Sequence, residues 1–325
     1  MSAYWTQTSL LKYLPLPKRE ELVRQFLELR TRDNKTGHRF KLVLVEKFGD
    51  GYFLQLDNLL VKIEQVQWNR QIMIYYRIGD PLRVAVQRVD DLHFLQPHVL
   101  FPNNAHVMTV PRSRATTIDG AARLWLANYL DRPDTVIGRL VLQNVAADFC
   151  AGFRVGKCDI LDLREARAAG NSSLLIEDSL VKMVQCGEAN MLQNQTVRAA
   201  QIAKIPRLYA GTSPQTLMRM NGQLLKIGWL LQLEFIMAFS REIAEHGKPL
   251  GYKCTSYTHG NMDYGTLEWL GVQMRARKTQ LLGKICITLE IISDPTLELN
   301  LRTDPQDSYI LWIEVAPKGT AANRN

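Results

Sequence analysis

The chain has 325 residues, of which 46% are hydrophobic and 22% charged, a balance that excludes an intrinsically disordered protein and supplies one large core or two smaller ones. With 40 Lys and Arg against 32 Asp and Glu the formal charge is +8, which favours polyanionic partners and acidic membrane surfaces. Five cysteines, an odd count without a C-x-x-C pair, speak against a disulfide framework and a structural zinc site and point to a reducing, cytoplasmic compartment.

The first residues lack the basic start, long apolar run and small-residue cleavage site of a secretory signal. Pro17 then precedes a helical pattern in which Leu22, Val23, Phe26, Leu27 and Leu29 gather on one side, with Glu20 and Glu21 in the first turn. Residues 39–101 read as strands over 39–47, 52–57, 59–68, 71–78, 82–89 and 92–101, separated by Gly, Asn, Asp and Pro groups that supply reversals. The simplest arrangement is an antiparallel meander covered by the N-terminal helix.

From about 116 to 245 the apolar period changes from two to 3.6, so a helical centre is expected. Thr117, Asp134, Ser172 and Ser213-Pro214 suit helix starts, and Gly211 and Gly247 suit helix ends. The most apolar stretch, 227–239, is too short to cross a bilayer and reads as a buried helix. After Gly251 strands are expected over 252–257, 266–274, 281–292 and 308–315, then a loose tail from Pro317. The expected fold class is therefore α+β: an N-terminal antiparallel β-meander (1–110), a central helical region (111–250) and C-terminal antiparallel strands (251–325) that either pack with the first region or form their own sheet.

Short catalytic motifs fail in turn. The run Gly152-Phe153-Arg154-Val155-Gly156-Lys157-Cys158 has three residues between its glycines and Cys after the lysine, where a phosphate loop needs four and a Ser or Thr. His93, His98 and His106 lack the spacing and companions of a metal site, so no metal or cofactor is expected, and His259 reads as a loop histidine. Asp159, Asp162 and Glu165 would share one helix face and could hold a cation, but Arg164 and Arg167 interleave with them as on a solvated, salt-paired surface.

The charge pattern carries more. The 45 residues between Glu188 and Glu234 contain no acid, yet include Arg198, Lys204, Arg207, Arg219 and Lys226, with Tyr209, Trp229 and many amides. A second acid-free run, 270–289, holds Arg275, Arg277, Lys278 and Lys284 beside Trp269, with Arg275 to Lys278 expected at a hairpin tip. Cations neutralise phosphates, flat rings stack on bases and amides bond to sugar or base edges, so this mixture suits a nucleic-acid groove. The expected function is binding or assembly on nucleic acid, RNA or single strands rather than duplex DNA, because no helix-turn-helix, zinc-finger or zipper pattern occurs. Arg198, Lys204, Arg207, Tyr209, Arg219, Arg275, Arg277 and Lys278 are its candidate contacts. Two rivals stand beside it: a self-assembling or acidic-membrane-associated structural protein, and an enzyme whose site lies between sheet and helices and uses Asp159, Asp162 or His259.

Overall fold

The structure is a computed structural model that describes residues 38–57, 59–65, 72–78, 106–109, 117–167, 180–187, 189–206, 208, 212–258, 264–281 and 283–323. The chain divides into two compact units, Met1–Asp159 with Leu174–Ser179, and Ile160–Ser173 with Leu180–Asn325.

In the first unit, β1 (Arg39–Phe48), β2 (Gly51–Leu56), β3 (Leu59–Gln65), β4 (Ile72–Ile78) and β5 (His106–Thr109) pair in succession, each antiparallel to the last. The other edge of β1 pairs with β6 (Arg132–Ala146) in parallel, giving the order β6-β1-β2-β3-β4-β5. Every residue of β2 is buried, as expected of a strand covered on both faces. One cover is α1 (Ile118–Leu130), which packs on β2 and β3. Thr117 caps it by accepting the Gly120 amide at 3.1 Å, and Ala122, Trp125, Leu126 and Tyr129 form its buried stripe. The Arg123 guanidinium donates to the carbonyls of Phe149 and Ala151 at 2.7 and 2.8 Å and so ties down the turn after β6.

β7 (Val155–Arg167) starts in the first unit and ends in the second. The second unit then runs β8 (Leu180–Cys186), a 3-10 turn, α2 (Gln195–Ala199), β9 (Ile202–Ile205), α3 (Pro214–Met218), β10 (Leu224–Leu231), α4 (Leu233–His246) and β11 (Lys253–Thr258). Helical connections return the chain to the same end each time, so β8, β9, β10 and β11 pair in parallel. After α5 (Tyr264–Met274), β12 (Arg277–Leu281), β13 (Lys284–Glu290), β14 (Leu297–Thr303) and β15 (Ile310–Pro317) pair antiparallel. β15 closes antiparallel on β11, and the short β16 (Ala322–Asn323) pairs with β12. The order is β16-β12-β13-β14-β15-β11-β10-β9-β8.

The expected arrangement of meander, helical centre and C-terminal strands is corrected by these pairings. Each unit is built on a mixed sheet, and the centre of the chain carries β6 to β10 as well as helices. The helix expected after Asp134, with a stripe of Ile137, Leu140, Val141, Val145 and Phe149, is corrected as well: the first four lie in β6, where 140–143 are buried in succession and hide the alternation, and Phe149 lies in the turn that follows. The apolar stretch 227–239 spans the end of β10 and the start of α4 rather than one helix. Residues 266–274, expected as a strand, lie in α5, and the expected hairpin tip at Arg275 to Lys278 is the passage from α5 into β12. The tail from Pro317 includes β16. The expected N-terminal helix and the strands over 82–89 and 92–101 lie outside the described residues, as do the helix signals at Ser172 and Gly211.

Candidate polyanion-binding face

In-register neighbours on adjacent strands project to the same side of a sheet. In the second unit one such line runs Val184, Ala203, Leu225, Cys254, Ile313, Leu301 and Ile287, from β8 across to β13, and all seven are buried. This is the helix side. A Cβ on Gly271 of α5 would come 3.0 Å from the Ile287 side chain, α4 packs on α5 and β14, and α3 packs on α4.

The opposite line runs Gln185, Lys204, Lys226, Thr255, Trp312, Arg302 and Cys286. At its parallel end Lys226 is exposed and Lys204 half-buried. Neither makes an ion pair among the described residues. Beyond Lys226 the register of β10 on β11 shifts between Ile227 and Leu230. The bulge falls at Gly228, whose missing side chain lets the strand pass Pro206, since a Cβ there would stand 3.3 Å from the Pro206 backbone. It leaves Trp229 44% and Tyr257 45% exposed, and Tyr257, two residues beyond Thr255 on β11, keeps the side of Lys226.

The antiparallel end of the line is charge-balanced. Glu314 receives Lys253 Nζ on Oε1 at 2.9 Å, and its Oε2 lies 3.7 Å from Arg302 Nη2. The Arg302 guanidinium sits 5.2 Å from the Trp312 ring centroid, and the indole N–H donates to Asp304 Oδ2 at 2.8 Å. The Gln306 amide first, then that indole, hold the Asp304 carboxyl below its usual range.

The other candidate contacts are dispersed. Arg198, on α2, is half-buried with its Nε enclosed and, among the described residues, without a hydrogen-bond partner. Arg219 caps the end of α3 and is exposed. Arg275 is exposed just after α5 with φ +55. Arg277 and Lys278 point to opposite faces of β12: Arg277 lies 3.5 Å from Glu298, while Lys278 pairs with Glu268 of α5 on the helix side. β12 is six strand positions from β9, roughly 29 Å at the usual spacing of strands, so these two do not join Lys204. Arg207 and Tyr209 lie outside the described residues.

Sequence reasoning passed over Lys226 as a contact, along with Tyr257, Trp312, Arg302 and Glu314. One signal was available for the first. Ile202-Ala203-Lys204-Ile205 and Leu224-Leu225-Lys226-Ile227 share a pattern with lysine third, and two parallel strands that bury the same positions bring those lysines together.

Asp159 and Asp162 resolve as structural pairs. Asp159, Asp162 and Glu165 lie on β7, so alternation turns Asp162 away from the other two and the shared helix face is corrected. Asp162 is buried and accepts from Arg164 Nε and Nη2 at 3.0 and 2.9 Å, and Asp159 pairs with Lys157 at 2.9 Å. The Gly152 run forms the turn into β7. His93, His98 and His259 lie outside the described residues, and His106 opens β5. Among the described residues no three His, Cys, Asp or Glu side chains are grouped to hold a metal ion, and no helix is long and apolar enough to cross a membrane. All five cysteines are unbridged and buried. Comparison with protein-family models, with curated proteins and with solved structures gave no match.

Proposed function

We propose that the face of the second unit opposite α3, α4 and α5 binds an extended polyanion, single-stranded nucleic acid, in a binding or assembly role. The observation that carries this reading is the pair Lys204 and Lys226, opposite each other on β9 and β10 and, among the described residues, without an ion pair to an acid. Two ammonium groups side by side repel, and like charges opposite each other in a sheet destabilise it. A bound phosphate offsets that repulsion. Tyr257 adds an exposed ring on the same side, on which bases stack with little regard to sequence. A flexible single strand can lay phosphates on the lysines and a base on the ring together, whereas a duplex keeps its bases stacked within and presents phosphate alone.

Titrating a fluorescent single-stranded oligonucleotide and the matching duplex by anisotropy tests the reading. The single strand should bind more tightly, and Lys204→Gln with Lys226→Gln should weaken it at least tenfold. Flotation with acidic liposomes but no oligonucleotide binding would replace this reading with a lipid surface.

A further inference from the structure

Resting on that reading, we infer that Glu314 is a specificity-determining residue: it confines phosphate to the Lys204 and Lys226 end of the face and reserves the other end for a ring, so the site takes nucleotides rather than bare polyphosphate.

From β9 to β14 the line Lys204, Lys226, Thr255, Trp312, Arg302 crosses five strands, about 19 Å at the usual spacing. That length spans several phosphates of a polyanion, and without Glu314 a cation would be offered at each end of it: Lys204 and Lys226 at one, half-exposed Lys253 at the other, with buried Arg302 behind it. Glu314 changes this. It faces Lys253 directly across β11 and β15 and gives one carboxylate oxygen to Lys253 and the other to Arg302. Asp304 adds a further negative charge beside Trp312. Two cations thus meet two carboxylates around Trp312, and a phosphate laid there would meet Glu314 at close range. A neutral aromatic base meets no such repulsion. Trp312 is fixed by its bond to Asp304 and by the Arg302 guanidinium over its ring, which suits a rigid platform. The face therefore alternates between phosphate and ring chemistry, as a nucleotide does and a polyphosphate chain does not.

The test compares a uridylate oligonucleotide with inorganic polyphosphate of the same number of phosphates, on the full chain at one salt concentration. Glu314→Gln should raise polyphosphate affinity several-fold more than oligonucleotide affinity and add about one to the magnitude of the polyphosphate salt slope. Glu314→Asp, which keeps the charge, should retain the wild-type preference. Lys253→Gln, a change at a half-exposed side chain that leaves the fold intact, should act in the opposite sense and lower polyphosphate affinity. If neither Glu314→Gln nor Lys253→Gln alters the preference while the double lysine variant still weakens the oligonucleotide, the role of Glu314 is overturned and the face remains. If the double lysine variant leaves oligonucleotide binding unchanged, the face itself is lost and this inference with it.

Discussion

Lys204 of β9 and Lys226 of β10 stand directly opposite each other on neighbouring parallel strands, Lys226 one strand position from Thr255 and two from Trp312. A sheet selected for stability alone would not place two like charges there. Under the proposed function the cost is the exception to local consistency expected where a sheet binds a ligand.

Replacing Lys226 by Thr should consequently stabilise the protein by about 0.5 kcal/mol, because it removes the repulsion and adds a β-branched residue to a strand. The same change should weaken oligonucleotide binding. Chemical denaturation beside an anisotropy titration reads both, and a variant that is less stable and binds unchanged would mean that Lys226 is held in place by packing.

Glu298 is fully buried and gathers the end of the second unit around one carboxylate. It accepts from the Gly319 and Ala321 amides at 3.0 and 2.9 Å and from Asn300 Nδ2 at 3.2 Å, beside Arg277. Asn300 in turn accepts from Thr288 at 2.6 Å, and Thr288 meets Thr279 at 2.7 Å. Glu298→Gln sets an amide N–H against backbone N–H donors, so it should cost about 1 to 3 kcal/mol. Hydrogen exchange at Gly319 and Ala321 should quicken, and Arg277→Ala should leave oligonucleotide binding unaltered.

Gly222 lies where two segments touch along their backbones. A Cβ there would fall 2.1 Å from the Ala200 carbonyl oxygen, and that closeness lets the Asn221 amide reach the Arg198 carbonyl at 3.0 Å and the Gln223 amide reach the Gln201 carbonyl at 2.9 Å. Gly222→Ala should destabilise by about 3 kcal/mol or more, since backbone rather than a flexible side chain must give way. It should also weaken binding by displacing the entry to β10. Thermal denaturation gives the first effect and the oligonucleotide titration the second.

Lys248 donates to the Met218 and Met220 carbonyls at the end of α3 and lies 5.1 Å from the Tyr252 ring centroid. Burial lowers its pKa to about 8. Between about 8 and the unfolded value of 10.5 the unfolded chain holds more protons at this site, so its contribution to stability rises with pH across that window. The buried thiols act the other way. Burial raises Cys150, Cys186 and Cys254 from 9.0 to about 12, so above pH 9 the unfolded chain loses protons that the folded one keeps, and stability falls. The penalty for Lys248→Met should therefore be larger at pH 10 than at pH 7 by urea denaturation, and a penalty independent of pH would place the ammonium in water.

Several elements were legible because their signals are local. Thr117 and Ser213-Pro214 mark helix starts through oxygens that accept first-turn amides, and Gly247, at φ +77, ends α4 because it adopts an angle other residues avoid. The strands of the centre were hidden for the opposite reason. Burial alternates along β9 and the start of β10, but apolar residues also stand at exposed positions of Leu224–Leu231, so in sequence the run fits either period. The site was hidden further still. The pairing of Lys204 with Lys226 depends on strand register, and the placement of Trp312 and Glu314 beside them depends on β15 closing on β11 some 50 residues later in the chain, which no local spacing encodes.

The central claim is best tested by the slope of oligonucleotide affinity against salt. Each phosphate contact to a single strand contributes roughly 0.7 to that slope, so Lys204→Gln with Lys226→Gln should reduce its magnitude by about 1.4, while Arg277→Ala with Lys278→Ala should leave it as it is. A slope unmoved by the first pair and lowered by the second would contradict the account and transfer the contact to β12.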